Sequence, residues 1–346
     1  MRAPKSLFTI RADRQLTSQY IILEKTIRNL AVQLLCIRFQ KMAEHSCPRI
    51  AVIVVAVFVY ALTIVFNALS GSAGRELGIF NSSVGDVSDS FYLEVTPAGW
   101  TFSIWGFIYT WQALWLIYAL TTICRRTKSG TYIYQLPILP PIMYILFICN
   151  NIFLVSWLFA WDRKELIWAL VTIALLPITL ALALFFSFRS LYHNLGRLNE
   201  DEAVKDIWLI RFLVQNGMAF FCAWVTIATL LNAAMVMTYE GNLTNEDACT
   251  TALGILSCII ITWFLLDNTI LDRYVRYTFS PYITLTIGLS GAVAKNYDIE
   301  RRHRNSIVLV SLLVVAVVML VAKISIMFIR HFRKPISSKT QYKLNV

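Results

Sequence analysis

The sequence has little charge and lacks the common motifs of catalytic and metal sites. Only 15% of its 346 residues are Asp, Glu, Lys or Arg. It contains no Cys-x-x-Cys, no His-Glu-x-x-His, no Gly-x-Ser-x-Gly and no phosphate-binding loop. Its few histidines lie outside the hydrophobic runs: His45, His193, His303 and His331. We therefore predict no catalytic residue, no metal site and no cofactor, and we expect that the chain is not an enzyme.

Long hydrophobic runs take the place of the missing charge. Hydrophobic residues make up 58% of the chain, a balance that a soluble protein of this length would not expose to water. The sequence therefore predicts an all-α fold, a polytopic membrane helix bundle. The net charge of +11 is interpreted as basic cytoplasmic loops, since Lys and Arg accumulate on that side of membrane proteins, and no nucleic-acid partner is expected.

Eight hydrophobic segments are candidate membrane spans. The seventh is short and opens with Pro281, so eight spans are favoured and seven stay open if this segment re-enters the membrane. The polar stretch 189–206 is interpreted as a loop, and Lys323 in the last span is expected to snorkel towards the interface. The predicted spans are 50–69, 96–118, 139–161, 166–188, 207–237, 251–271, 279–294 and 306–329.

The distribution of Lys and Arg predicts the orientation. With eight spans and a cytoplasmic N-terminus, 23 of them lie on the cytoplasmic side and 7 on the other; with seven spans the division is 22 and 8. Two glycosylation acceptor patterns, at Asn81 and Asn242, then fall on the non-cytoplasmic side. We predict an integral multi-pass membrane protein with a cytoplasmic N-terminus and glycans on both asparagines.

Tryptophan is concentrated in the second span. Four of the ten Trp residues lie there: Trp100, Trp105, Trp111 and Trp115. Trp and Tyr often sit at the membrane interface, but rings spread along one helix cannot all lie at one interface. Some of them must face protein or ligand.

Spans three and five carry further polar and aromatic residues. Asn150 and Trp157 share one face of span three, and an Asn at this depth is either an interhelical hydrogen bond or a pocket residue. Span five has small residues and hydroxyls on one side of the run from Ala223 to Asn232, as close helix contacts or a cavity wall require. Pro177 predicts a kink in span four.

The run Pro-Ala-Gly-Trp-Thr-Phe-Ser-Ile-Trp-Gly-Phe-Ile-Tyr at 97–109 closely resembles the second helix of the tryptophan-rich sensory protein and translocator protein (TspO/MBR) family. Asn150 with Trp157, and the span-five run through Trp224, match that family in the same order. The resemblance implies a five-helix core at 50–238, and the remaining spans resemble an extended subgroup. The chain then divides into a basic N-terminal segment at 1–49, the core, additional spans at 239–330 and a basic tail at 331–346.

The resemblance also implies a mostly apolar pocket beneath the loop between spans one and two. Family members bind porphyrins, sterols and aromatic drugs there. Two departures count against sterols: Phe153 replaces a Trp that the family usually has, and the sterol-recognition pattern of span five is missing, with only a loose match at 271–276. By resemblance the ligand-binding residues are Trp100, Trp105, Tyr109, Asn150, Trp157, Trp224 and Asn232.

Three functions follow as expectations. The favoured one is binding, transport or sensing of a hydrophobic aromatic molecule of the tetrapyrrole or sterol class. The alternatives are a tetrapyrrole-modifying membrane enzyme and a membrane scaffold or sensor without turnover. The lipid bilayer is an expected partner, and a homodimer is left open. The resemblance points to mitochondrial or bacterial membranes, whereas the two glycosylation patterns favour the plasma membrane or endomembranes, which we prefer.

Overall fold

The computed structural model describes residues 45–297, 304–333 and 336. Most of the predicted basic N-terminal segment and of the basic tail therefore lies outside the described residues. Within them the fold is all-α, with one isolated β-bridge between Arg126 and Tyr132. The predicted fold class, a polytopic helix bundle, is confirmed.

Eight long helices occur among the described residues. A 3₁₀ turn at Gly99–Ser103 leads into the second helix, and the helical segments Val204–Leu209 and Ile210–Asn216, the latter a π-helix, lead into the fifth. Short helices lie at Ser72–Glu76, Val84–Ser90, Ile133–Gln135 and Asp272–Val275. The long helices are α1 (Cys47–Leu69), α2 (Ile104–Cys124), α3 (Pro141–Asp162), α4 (Leu166–Glu200), α5 (Gly217–Tyr239), α6 (Asn245–Asn268), α7 (Ser280–Asn296) and α8 (Arg304–Arg333).

Seven of these helices are long and apolar enough to cross a membrane, and α7 is not one of them. α7 has 17 residues, fewer than the ~20 that a lipid-facing span needs. Of the eight predicted spans, seven are thus helices of membrane length and the remaining one is the shorter α7.

α7 nevertheless runs from one end of the bundle to the other. At its start, the backbone N–H of Ser280 donates to Asn216 Oδ1 at 3.1 Å, just before α5. At its end, Asn296 Nδ2 donates to the carbonyl of Thr96 at 2.9 Å, just before α2. We call the end that contains residues 70–98 the loop end, and the end that contains residues 125–140 the opposite end. The eight helices alternate in direction between these two ends.

α4 is longer than predicted. The stretch 189–206 was expected to be a loop, but α4 continues through it to Glu200. The reason is an amphipathic pattern within the polar sequence: Leu191, Leu195 and Leu198 recur at helical spacing and are all buried. The interpretation of the whole stretch as a loop was therefore wrong.

α5 lies at the centre of the bundle and packs against α2, α4, α6 and α7. A polar link ties it to α2, because Gln112 Nε2 donates to the carbonyl of Gly217 at 3.0 Å, while Gln112 Oε1 accepts from Trp115 Nε1 at 2.7 Å. Pro177 in α4 has no N–H to offer the carbonyl of Ile173, and the hydroxyl of Thr229 in α5 lies 3.2 Å from that oxygen. After α5, α6 and α7 pack directly on this central helix, and α8 packs on α6 and α7.

The prediction that Lys323 snorkels to the interface is wrong. Lys323 is 2% exposed and pairs with Asp267, which is fully buried. The hydroxyl of Tyr282 donates to the same carboxylate at 2.6 Å. The ammonium faces the interior because a carboxylate and a phenol there replace the water it would otherwise have to reach.

Candidate functional site

A cavity of about 640 Å³ opens at the loop end of the bundle. α1, the short helix Val84–Ser90, the start of α2, α3 and the last turn of α7 surround it. Most of its lining is apolar or aromatic, and a few amide, hydroxyl and charged groups lie near its mouth. Its lining includes Asn67, Trp105, Tyr109, Trp157 and Lys295.

One wall of the cavity is a row of nearly parallel aromatic rings. Trp105 stacks on Tyr109, with ring centroids 5.6 Å apart and planes 25° apart. It also stacks on Trp157, at 6.4 Å and 23°, and Trp157 stacks on Trp161 at 5.4 Å. Three of the residues expected at the site, Trp105, Tyr109 and Trp157, therefore form a single wall built from α2 and α3.

Trp224 and Asn232 lie behind this wall on α5. The Trp224 ring meets Trp105 edge to face, at 6.2 Å and 88°. Asn232 Oδ1 lies 3.4 Å from Trp157 Nε1. Both residues line a second, small void of about 40 Å³, of which Trp105 and Trp157 also form part. They hold the wall in place and do not line the large cavity.

The two remaining candidates, Trp100 and Asn150, do not line the cavity. Trp100 is 56% exposed. Asn150 is fully buried and its amide nitrogen donates to α4, to the carbonyl of Leu176 at 3.0 Å and to Thr179 Oγ1 at 2.9 Å. Of the two roles left open for Asn150, the structure shows the interhelical hydrogen bond.

Several lining residues were not expected from the sequence. Asn67 of α1 accepts a hydrogen bond from the Tyr109 hydroxyl and so joins α1 to the aromatic wall. Lys295 of α7 pairs with Asp89 of the short loop helix at 3.4 Å. These residues are far apart in sequence, and no local pattern brings them together.

A comparison with protein-family profiles decides the family. The profile of the family described as TSPO-like protein matches residues 52–325, about four-fifths of the chain. The chain is a member of the TSPO-like protein family. The resemblance found in the Trp-rich stretch is thereby confirmed. Searches of curated proteins and of solved structures found no match.

In this TSPO-like protein the matched range contains every cavity residue named above and extends well into α8. α6, α7 and most of α8 thus belong to the family match. The cavity itself draws on one of them, because Lys295 at the end of α7 completes its mouth.

The loop between α1 and α2 forms the roof of the cavity and is tied to α3. The Asp162 carboxylate accepts hydrogen bonds from the backbone N–H groups of Asn81 and Ser82, at 2.7 and 2.8 Å. The short helix that follows begins with a capping box between Ser83 and Asp86. Hydrogen bonds from Ser83 lower the pKa of the Asp86 carboxyl. A sequence signal for this helix was present, since Ser83-x-x-Asp86 has the spacing of a capping box.

Proposed function

We propose that this TSPO-like protein binds a flat, hydrophobic molecule of the tetrapyrrole class in the loop-end cavity and transports or senses it without chemical turnover. The observation that carries the proposal is the wall of Trp105, Tyr109 and Trp157. Its three aromatic side chains line one side of the cavity together, and aromatic rings favour a flat aromatic ligand through offset-stacked or edge-to-face contacts. The cavity volume of about 640 Å³ lies within the range of small-molecule sites.

The polar groups of the cavity favour a ligand with an acidic edge. Lys295 lies at the mouth, where its side chain is about one-third exposed and its only ion-pair partner among the described residues is the largely exposed Asp89. A ligand carboxylate at the mouth would compete with Asp89 for this ammonium. The propionates of a porphyrin meet this requirement, whereas a sterol has neither a π face nor a carboxylate.

The loose sterol-recognition match at 271–276 gives sterols no further support. It lies at the opposite end of the bundle from the cavity. Its Arg276 is held by Asp272 at 2.5 Å and is largely buried. The basic residue of the pattern is therefore not available to a ligand.

The proposed orientation places the loop end on the non-cytoplasmic side. Asn81 and Asn242 both lie exposed at the loop end, on the loops that follow α1 and α5. This common placement supports the proposal that both carry glycans and that the protein resides in the plasma membrane or endomembranes, with a cytoplasmic N-terminus.

The proposal is tested by titrating the detergent-solubilised full-length protein with protoporphyrin and following tryptophan fluorescence. We expect saturable quenching, weakened roughly 2- to 10-fold by Trp105→Phe, because the smaller ring loses part of the stacking energy. Trp100→Phe is the matched control, since Trp100 is exposed and outside the cavity. Linear quenching, or equal effects of the two substitutions, would contradict the proposal.

A second titration tests the acidic edge and the absence of turnover. Lys295→Gln should weaken protoporphyrin binding and leave binding of a porphyrin without carboxylates unchanged. Porphyrin absorbance should remain constant in the dark over hours of incubation. A steady loss of absorbance that depends on the protein would favour the enzyme alternative.

A further inference from the structure

An apolar groove runs along the bundle between α4 and α6, remote from the loop-end cavity. Two cavities of about 180 and 260 Å³ form it, and both are lined by Leu184, Phe188 and Trp263. α5 forms the floor of the cavity of about 180 Å³, which is lined there by Ala219, Ala223 and Thr226. Because small side chains recur there at helical spacing, the neighbouring helices leave a channel above α5 instead of filling it.

The groove is long enough to hold much of one lipid acyl chain. α4 contributes residues 181 to 189 and α6 residues 256 to 263, stretches of roughly 12 and 10 Å at the helical rise of ~1.5 Å per residue. It then continues beyond the end of α6 to Leu271 and Tyr274. The groove thus passes from the interior of the bundle to its opposite end.

A buried donor lies where the two cavities meet. Trp263 lines both of them, and its indole N–H is buried and has no hydrogen-bond acceptor among the described residues. A buried N–H without an acceptor costs free energy. An occupant of the groove with a carbonyl oxygen at this depth would remove that cost.

Positive charge lies at the opposite-end mouth of the groove. Arg189 lines the outer cavity and is exposed, and within the described part of the chain no acidic side chain pairs with it. Arg273 stands over the ring of Tyr274, 4.9 Å from its centroid, and Tyr274 also lines this cavity. The mouth therefore suits an anionic group.

We propose that this groove binds one anionic glycerophospholipid, with its phosphate at Arg189, an ester carbonyl at Trp263 Nε1 and an acyl chain on the α5 floor. The order of the three features along the groove, cation, buried donor and apolar channel, is the order of phosphate, ester and chain in such a lipid. The mouth also lies at the end that the Lys and Arg bias assigns to the cytoplasm, where anionic lipids are concentrated. A sterol has a single hydroxyl and could therefore partner only one of Arg189 and the Trp263 N–H.

Native mass spectrometry of the full-length protein tests this site with palmitoyl-oleoyl phosphatidylserine and palmitoyl-oleoyl phosphatidylcholine as probes. For the first lipid bound, we expect a preference for phosphatidylserine of about fivefold from one basic side chain. Arg189→Gln should abolish the preference. Trp263→Phe should weaken both lipids about 2- to 10-fold, because it removes one hydrogen bond and keeps the ring.

Arg197→Gln is the matched control, since it removes the same charge from the same end of α4 outside the groove and should leave the preference intact. Ala223→Phe, checked for folding by size-exclusion chromatography, should remove the tightly bound lipid by filling the floor. Equal effects of Arg189→Gln and Arg197→Gln, unchanged affinity in Trp263→Phe, or displacement of the first lipid by cholesterol would overturn the proposal. None of these measurements involves the loop-end cavity, so the two proposals can fail separately.

Discussion

At the scale of single residues, the pair of Lys323 and Asp267 shows how α6 and α8 are held together. Both side chains are almost completely buried, and Tyr282 of α7 donates to the same carboxylate. Removing charges from water costs several kcal/mol per ion. The cost is offset only while both charges and the hydroxyl are present. Loss of a single partner should therefore lower the free energy of unfolding more than loss of both charges.

Lys323→Met should therefore lower the free energy of unfolding by about 3–5 kcal/mol, because it leaves Asp267 buried and unpaired. The double substitution Lys323→Met with Asp267→Leu should recover much of that loss. Lys128→Met is the control, since Lys128 and its partner Glu202 are mostly exposed and such pairs contribute little. The measurement is denaturant unfolding in detergent; equal stability of the two single variants would show that the buried pair carries no special energy.

The sequence predicted those cavity residues that lie close together in one stretch of the chain. Trp105 and Tyr109 come from one helix, so a single motif identified both. Lys295 and Asn67 reach the cavity from α7 and α1, and tertiary contacts between distant elements leave no local signal. The Lys323 pair did leave one, since two opposite charges inside separate hydrophobic spans indicate an intramembrane pair.

At the scale of elements, α7 depends on a close approach to the start of α2. A Cβ placed at Gly291 would lie 1.9 Å from Oγ1 of Thr101, a buried residue of the 3₁₀ turn before α2. The backbone of Ala98 also donates to the Gly291 carbonyl at 3.0 Å. A methyl group therefore cannot be added there without moving one of the two elements.

Gly291→Ala should destabilise the protein by roughly 1–3 kcal/mol, the usual cost of overpacking. The matched control is Gly254→Ala in α6, where nothing lies within 4 Å of the added Cβ. That change should be neutral or stabilising by up to ~1 kcal/mol, since Ala has the higher helix propensity. Thermal unfolding of both variants in the same detergent makes the comparison, and an unaffected Gly291→Ala would show that α7 does not pack as described.

Hydrophobic runs predicted the helices well because a span in lipid must be both apolar and helical. The sequence predicted helices less accurately where they are surrounded by other parts of the protein. α7 is short and rich in Thr, Ser and Gly because it packs within the bundle, and the last part of α4 looked like a loop because only one of its faces is apolar. The π-helix Ile210–Asn216 depends on tertiary contacts and had no counterpart in the sequence pattern.

At the scale of the whole molecule, eight alternating helices place the start of α1 and the end of α8 at the same end of the bundle. With a cytoplasmic N-terminus, a tag at the C-terminus should be resistant to protease added outside intact cells and become sensitive after permeabilisation. A C-terminal tag that is cleaved in intact cells would contradict the alternating order at α7.

Endoglycosidase treatment should increase the electrophoretic mobility of the protein, and this shift should be lost in the Asn81→Gln, Asn242→Gln double variant.

Hydrogen–deuterium exchange of the full-length protein with and without protoporphyrin tests the claim that the loop-end cavity is the ligand site. Ligand should slow exchange in the roof helix Val84–Ser90 and at 99–109, which surround the cavity, while 181–189 and 256–263 should exchange as before. Protection confined to those latter segments, or no protection at saturating ligand, would contradict the claim.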